Sequence, residues 1–140
     1  MHHKLDCRLR DALMSPLLSA ALAARDHAHA PYSRFRVGAA LEDSTGQIHT
    51  GCNIENSTYG LTICAERVAV FKAMSEGVRA FRRLAISADT ETLTPPCGAC
   101  RQILWEFCGD IEIILVNPRG KTETLRVKDL LPRAFDASYL

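Results

Sequence analysis

Three cysteines and one glutamate in this chain stand where they could do metal chemistry. Cys64-Ala65-Glu66 opens one predicted helix, and Pro96-Cys97-Gly98-Ala99-Cys100 opens another. A structural zinc site closes its tetrahedron with four protein ligands, whereas a catalytic site holds the ion with three and keeps the fourth position for water. Cys64, Cys97 and Cys100 supply three, so one Zn²⁺ per chain is expected. Zinc lowers the pKa of its water to about 7, and a neighbouring carboxylate that is not a ligand can take and return the protons. Glu66, two residues after Cys64, falls beside the metal rather than on it. The bland alternative for Glu66 is an exposed acidic residue favoured by the helix dipole. Its place next to Cys64 argues for the catalytic role. Cys97 and Cys100 alone would equally suit a redox pair or half of a structural site.

The elements around these residues explain how they could meet. Cys64 begins one helix and Cys97 and Cys100 lie in the first turn of another, so both helix N-termini should face the metal, where orphan amides and the positive dipole end favour thiolates. The CxxC spacing sets two sulfurs about one turn apart. Three thiolates on a divalent ion leave a negative site and weaken the acidification of water, so some compensation is required.

The rest of the chain reads as follows. Ser15 and Pro16 form a helix start, and Leu17, Leu18, Ala21, Leu22, Ala24 and Ala28 continue at helical spacing until Pro31. Residues 35–41 and 47–53 are strands joined by Asp43, Ser44, Thr45 and Gly46, an antiparallel hairpin. A loop covers residues 55–60. A helix over 63–76 leads to a strand at 81–88, and a helix over 97–107 leads to a strand at 111–116. Two strand-helix-strand units imply parallel pairing with right-handed crossovers. Asn117-Pro118-Arg119-Gly120 then turns tightly into a strand at 122–127, which must be antiparallel because a parallel return needs a longer crossover.

Composition fits one globular domain, residues 1–140, with 1–14 as an N-terminal extension; 47% of the residues are hydrophobic. With 17 Lys and Arg against 16 Asp and Glu, no basic stripe is expected to neutralise a phosphate backbone, and a nucleic acid partner is not expected. No apolar stretch reaches the roughly 20 residues of a membrane span, so no membrane partner is expected either. Residues 12–24 look superficially like a secretory leader, but Asp6 and Asp11 interrupt its basic part and Ser15, Pro16 and Ser19 its apolar part, so the segment is read as the first helix. The six cysteines form no disulfide framework, which fits a reducing cytoplasm.

The words around the ligands resemble the small cytidine deaminases that act on free nucleosides. The resemblance covers residues 30–41 (APYSRFRVGAAL), 51–56 (GCNIEN), 64–67 (CAER), 75–77 (SEG), 96–102 (PCGACRQ), and Leu130-Leu131-Pro132 with Phe135. It implies an α/β fold, a three-layer α/β/α sandwich with a five-stranded mixed sheet whose last strand is antiparallel, and zinc-dependent conversion of cytidine and deoxycytidine to the uracil nucleosides within pyrimidine salvage. It implies that Asn53 and Glu55 hold the ribose 3′-hydroxyl, that Phe35 packs on the pyrimidine, that Ala65 holds the base edge through its backbone, and that Arg67 hydrogen-bonds ligand sulfurs. It further implies a homotetramer in which Tyr59 and Phe135 complete a neighbour's pocket. Each also has a plainer reading: a turn or cap for Asn53 and Glu55, strand core for Phe35, and docking of the C-terminus on its own domain for Phe135. Ser57 departs from the family, where a small apolar residue is common.

Rival functions are a deaminase of another aminopyrimidine nucleoside, an RNA or DNA editing deaminase, and a zinc-stabilised binding module without catalysis. The charge balance and the final hairpin disfavour editing, and a structural module would call for a fourth ligand. His27 and His29, two apart, share no helix face. His2 and His3 belong to a terminus, Cys7, Cys52 and Cys108 read as small packing residues, and Arg79, Arg82 and Arg83 as a solvated face.

Overall fold

A computed structural model describes residues 14–140; His2, His3, Cys7 and all but the last residue of the expected N-terminal extension lie outside them. The first helix, α1 (Pro16–Arg25), starts as expected. Ser15 Oγ accepts from Leu18 N at 3.3 Å, and Pro16 sits in the first turn, where a backbone donor is not needed. The helix is shorter than its apolar pattern suggested. Asp26, His27 and Ala28 donate to carbonyls three residues back, the tighter pattern that closes helices. The chain then leaves because His29 pairs with the segment after the second strand, His29 N donating to Asn53 O at 3.0 Å and Glu55 N to His29 O at 2.8 Å.

Strands β1 (Val37–Asp43) and β2 (Ile48–Cys52) form the expected antiparallel hairpin. There follow α2 (Ala65–Ser75), β3 (Phe81–Ala88), α3 (Gly98–Cys108), β4 (Glu112–Val116) and β5 (Thr122–Arg126). Val127, expected as strand, instead begins the short helix α4 (Val127–Leu130) and is buried in the core.

The sheet order is β2-β1-β3-β4-β5. β3 and β4 are parallel as expected, and β5 is antiparallel to β4. The other strand-helix-strand unit corrects the expectation of parallel pairing: β2 and β3 point the same way, but β1 lies between them and is antiparallel to both. The reason is burial. Every residue of β1 is buried, whereas β2 alternates half-buried and buried positions as an edge strand can. The apolar run of β1 is therefore satisfied only inside the sheet.

Helix α1 covers one face, with Leu17 and Ala21 against Ala40 and Ala85. Helices α2 and α3 cover the other, where Ala69, Val70, Ala73 and Leu104 pack with Leu41, Leu84, Ile86 and Ile113. This is the expected three-layer α/β/α arrangement. Each fully buried Leu or Ile in it contributes about 1.5–3 kcal/mol. Two glycines let helices approach strands closely. A Cβ on Gly38 would lie 2.1 Å from Ala21 O of α1, and one on Gly51 would lie 2.5 Å from both Ala65 O and Ala69 N of α2. Gly51 thereby sets how far the first turn of α2 stands from β2. Among the described residues no helix is long and apolar enough to cross a membrane.

Candidate functional site

The loops that follow β2 and β3 bring the two predicted helix starts together. Cys64 is the N-cap of α2 and Cys97 the N-cap of α3, both in extended backbone, and neither side chain caps its own helix. Their sulfurs stay available. Cys64 Sγ and Cys97 Sγ lie 3.8 Å apart, Cys97 Sγ and Cys100 Sγ 3.5 Å, and the three sulfurs all fall within 4.8 Å of one another. Zn–S bonds of about 2.3 Å in a tetrahedron require sulfurs about 3.8 Å apart, so the donor set fits zinc in number, softness and spacing. Cys100 is buried, Cys64 half-buried and Cys97 exposed, which leaves the cluster approachable from one side.

Glu66 follows in the first turn of α2 and is only 5% exposed. Cys100 Sγ donates to its Oε2 at 3.1 Å. Burial drives its carboxyl pKa up, and the charge at Cys64 pushes in the same direction. Glu66 is therefore not a solvated helix-end residue. At Cys64 the thiol is lowered to about 5, first by the hydrogen bond from Cys100 and then by Arg67. Arg67 Nη2 donates to Cys64 Sγ at 3.3 Å, which sets the guanidinium against one of the three sulfurs. Ala65 is fully buried between Cys64 and Glu66.

The remaining predicted residues sit in the loops flanking β1 and β2. Phe35 precedes β1 instead of lying in it, and its ring is 41% exposed, so it is not strand core. Asn53 holds its backbone in place: Nδ2 donates to Phe35 O at 2.7 Å, and Oδ1 accepts from Val37 N at 2.9 Å. Glu55 Oε1 accepts from Tyr32 N at 2.9 Å and Ser33 N at 3.1 Å, and Oε2 accepts from Ser33 Oγ. Ser33's hydroxyl is the first cause of a Glu55 pKa below the usual carboxylate value. Both residues thus brace the loop segments before β1. Tyr59 is 76% exposed in a short 3₁₀ turn, with its ring 5.8 Å from that of Tyr32. The C-terminal segment docks on α3 through Gln102 Nε2 to Phe135 O at 2.8 Å and Trp105 Nε1 to Asp136 Oδ2 at 2.8 Å. The Phe135 ring stays 60% exposed and stacks on Tyr139.

Three supporting residues escaped the sequence reading. Arg101 joins the loop before Cys97 to α4, with Nε donating to Pro96 O at 2.7 Å and Nη1 to Leu130 O at 2.9 Å. Asn117, buried, donates from Nδ2 to Thr90 O at 3.1 Å and so ties the β4–β5 turn to the same loop. Ser33 is the third. Arg101 and Ser33 both stand inside the motifs already singled out, which was the available signal; for Asn117 only its turn was visible. Cys52 and Cys108 are free thiols outside the cluster, and burial raises Cys108 to about 12.

A family model described as the cytidine and deoxycytidylate deaminase zinc-binding region matches residues 13–116. The chain is 53% identical over 127 residues to a cytidine deaminase of Sporosarcina psychrophila, spanning 88% of this chain and 93% of that one. It is 51% identical over 122 residues to a cytidine deaminase of Halalkalibacterium halodurans, spanning 86% and 92%. The crystal structure of cytidine deaminase from Burkholderia pseudomallei superimposes with a TM-score of 0.84 at 45% identity, over 87% of this chain and all of that one. With a family model matched over most of its length and relatives about half identical to it, the chain that carries this three-sulfur cluster belongs to the cytidine and deoxycytidylate deaminase zinc-binding family.

Proposed function

We propose that residues 1–140 form one enzyme domain that deaminates cytidine and deoxycytidine hydrolytically at C4, yielding uridine or deoxyuridine and ammonia. Cys64, Cys97 and Cys100 would hold the zinc. When bound, the ion supplies the Lewis acidity that brings water into its nucleophilic range near neutral pH. Glu66 would take one proton from the attacking water at a carboxylate oxygen and deliver it to N3 as the water oxygen bonds to C4; it would then take the second proton from the new C4 hydroxyl and pass it to the amine, so that the C4–N bond breaks, ammonia leaves and the C4 carbonyl forms. The observation that carries the reading is the buried Glu66 carboxylate, 3.1 Å from Cys100 Sγ of the three-sulfur cluster. Arg67 tempers the negative charge of the thiolates from its position 3.3 Å from Cys64.

In the same reading Asn53 and Glu55 hold the sugar, Phe35 packs on the base, and Ala65 presents its backbone to the base edge. Tyr59 and Phe135 reach the pocket of a neighbouring subunit in a homotetramer, a role that their exposed rings support. The enzyme would serve pyrimidine salvage in a reducing cytoplasm, where thiol ligands persist.

The test is ammonia release by the purified zinc-loaded protein from cytidine, deoxycytidine, cytosine, CMP, adenosine and a cytidine-containing single strand. Turnover of the two cytosine nucleosides with little on the others is expected. Comparable efficiency on CMP or on the single strand would contradict the assignment.

A further inference from the structure

We propose that Ser33 is a positioning residue for the sugar end of the site, fixing at once the direction in which Glu55 accepts a hydroxyl and the backbone that carries Phe35. The inference rests on the reading of Glu55 as the sugar-hydroxyl acceptor. A carboxylate offers about four acceptor directions on its two oxygens. In Glu55 three are taken, two on Oε1 by the amides of Tyr32 and Ser33 and one on Oε2 by Ser33 Oγ. One direction on Oε2 remains, and Ser33 decides where it points. The same hydroxyl accepts from Phe35 N at 3.0 Å, while Asn53 Nδ2 holds Phe35 O at 2.7 Å. Phe35 is therefore gripped at both ends of its peptide units by groups tied to the segment after β2.

Between Ser33 and Phe35, Arg34 has φ +58°, a left-handed conformation that costs a non-glycine residue energy and persists only when its neighbours impose it. Arg34 N donates to Ala30 O at 3.0 Å, and the bonds of Ser33 and Asn53 to Phe35 hold the following residue, so that the conformation is braced on both sides. Ser33 and Glu55 also line a cavity of about 370 Å³ with Tyr32, Tyr59 and Thr62, a volume that could take a sugar.

Steady-state kinetics on cytidine and 3′-deoxycytidine test this with wild type, Ser33→Ala, Ser33→Thr and Glu55→Gln, each checked for zinc content. Ser33→Ala is expected to raise KM for cytidine about 10-fold, with kcat changed less than about 3-fold, because a hydrogen bond to a charged group is lost from ground-state and transition-state binding alike. The preference for cytidine over 3′-deoxycytidine should shrink several-fold in Ser33→Ala and recover in Ser33→Thr. If Ser33→Ala does not fold, Ser33→Cys, with its weak donor, serves the same comparison and should shrink the preference in the same direction. A preference lost in Glu55→Gln but of wild-type size in the Ser33 variant overturns the inference alone. An undiminished preference in Glu55→Gln overturns the sugar-site reading and the inference with it.

Discussion

At the scale of single residues, the cysteines divide by environment. Cys64, Cys97 and Cys100 converge at two helix starts, whereas Cys108 is a half-buried thiol whose pKa is pushed up to about 12 by desolvation. Alanine at any of the first three is expected to reduce bound zinc from one per chain to well below one half and to lower the melting temperature, because the site ties α2 to α3. Cys108→Ala should retain its zinc. Metal analysis that reversed this order would require a different centre. The convergence of Cys64, Cys97 and Cys100 was readable from residue type and spacing, since a metal imposes both. The hydrogen bonds of Ser33, Arg101 and Asn117 were not, because they depend on loop conformations that spacing does not encode.

At the scale of elements, β3 was readable to the residue, and the starts of α2 and α3 to within two, because apolar periodicity and capping are local. The insertion of β1 between β2 and β3 was not readable, for strand order is decided by which apolar faces meet after collapse. The shortened end of α1 has a similar cause, a long-range pairing of His29 with residues 53–55. Gly51→Ala should show how tightly element spacing controls the site: its Cβ, 2.5 Å from Ala69 N, must push α2 away from β2. A destabilisation of about 1–3 kcal/mol is expected from such overpacking, together with weaker zinc retention, measured by denaturation and metal analysis. At the far end of the hairpin, Asp43 accepts from Thr45 Oγ1 at 2.6 Å and pairs with His49 at 2.9 Å, and these lower its pKa, the Thr45 bond most. Its contribution is thus present above the ordinary aspartate value of about 3.9 and is lost as pH falls through the depressed folded value. Asp43→Asn should accordingly be less stable than wild type at neutral pH, with the gap closing in strong acid. Parallel pH-stability curves would contradict that coupling.

At the scale of the whole molecule, Tyr59 and Phe135 expose their rings, which suits residues that act on a neighbour. Phe135→Ala should therefore cost catalysis more than folding. Mixed with Glu66→Gln chains, it should regain activity, since a subunit with its own zinc and Glu66 can receive the aromatic ring from an inactive partner. Native mass spectrometry must confirm hybrids; confirmed hybrids without activity, or an active wild-type monomer, would contradict shared sites. The central claim, that Glu66 moves protons beside a zinc it does not bind, is tested most directly by measuring zinc per chain and cytidine turnover together for wild type and Glu66→Gln. The account predicts one zinc per chain in both and at least about a 10²-fold loss of rate in the variant. Near-wild-type turnover in the zinc-loaded variant, or loss of the metal with Glu66, would contradict it.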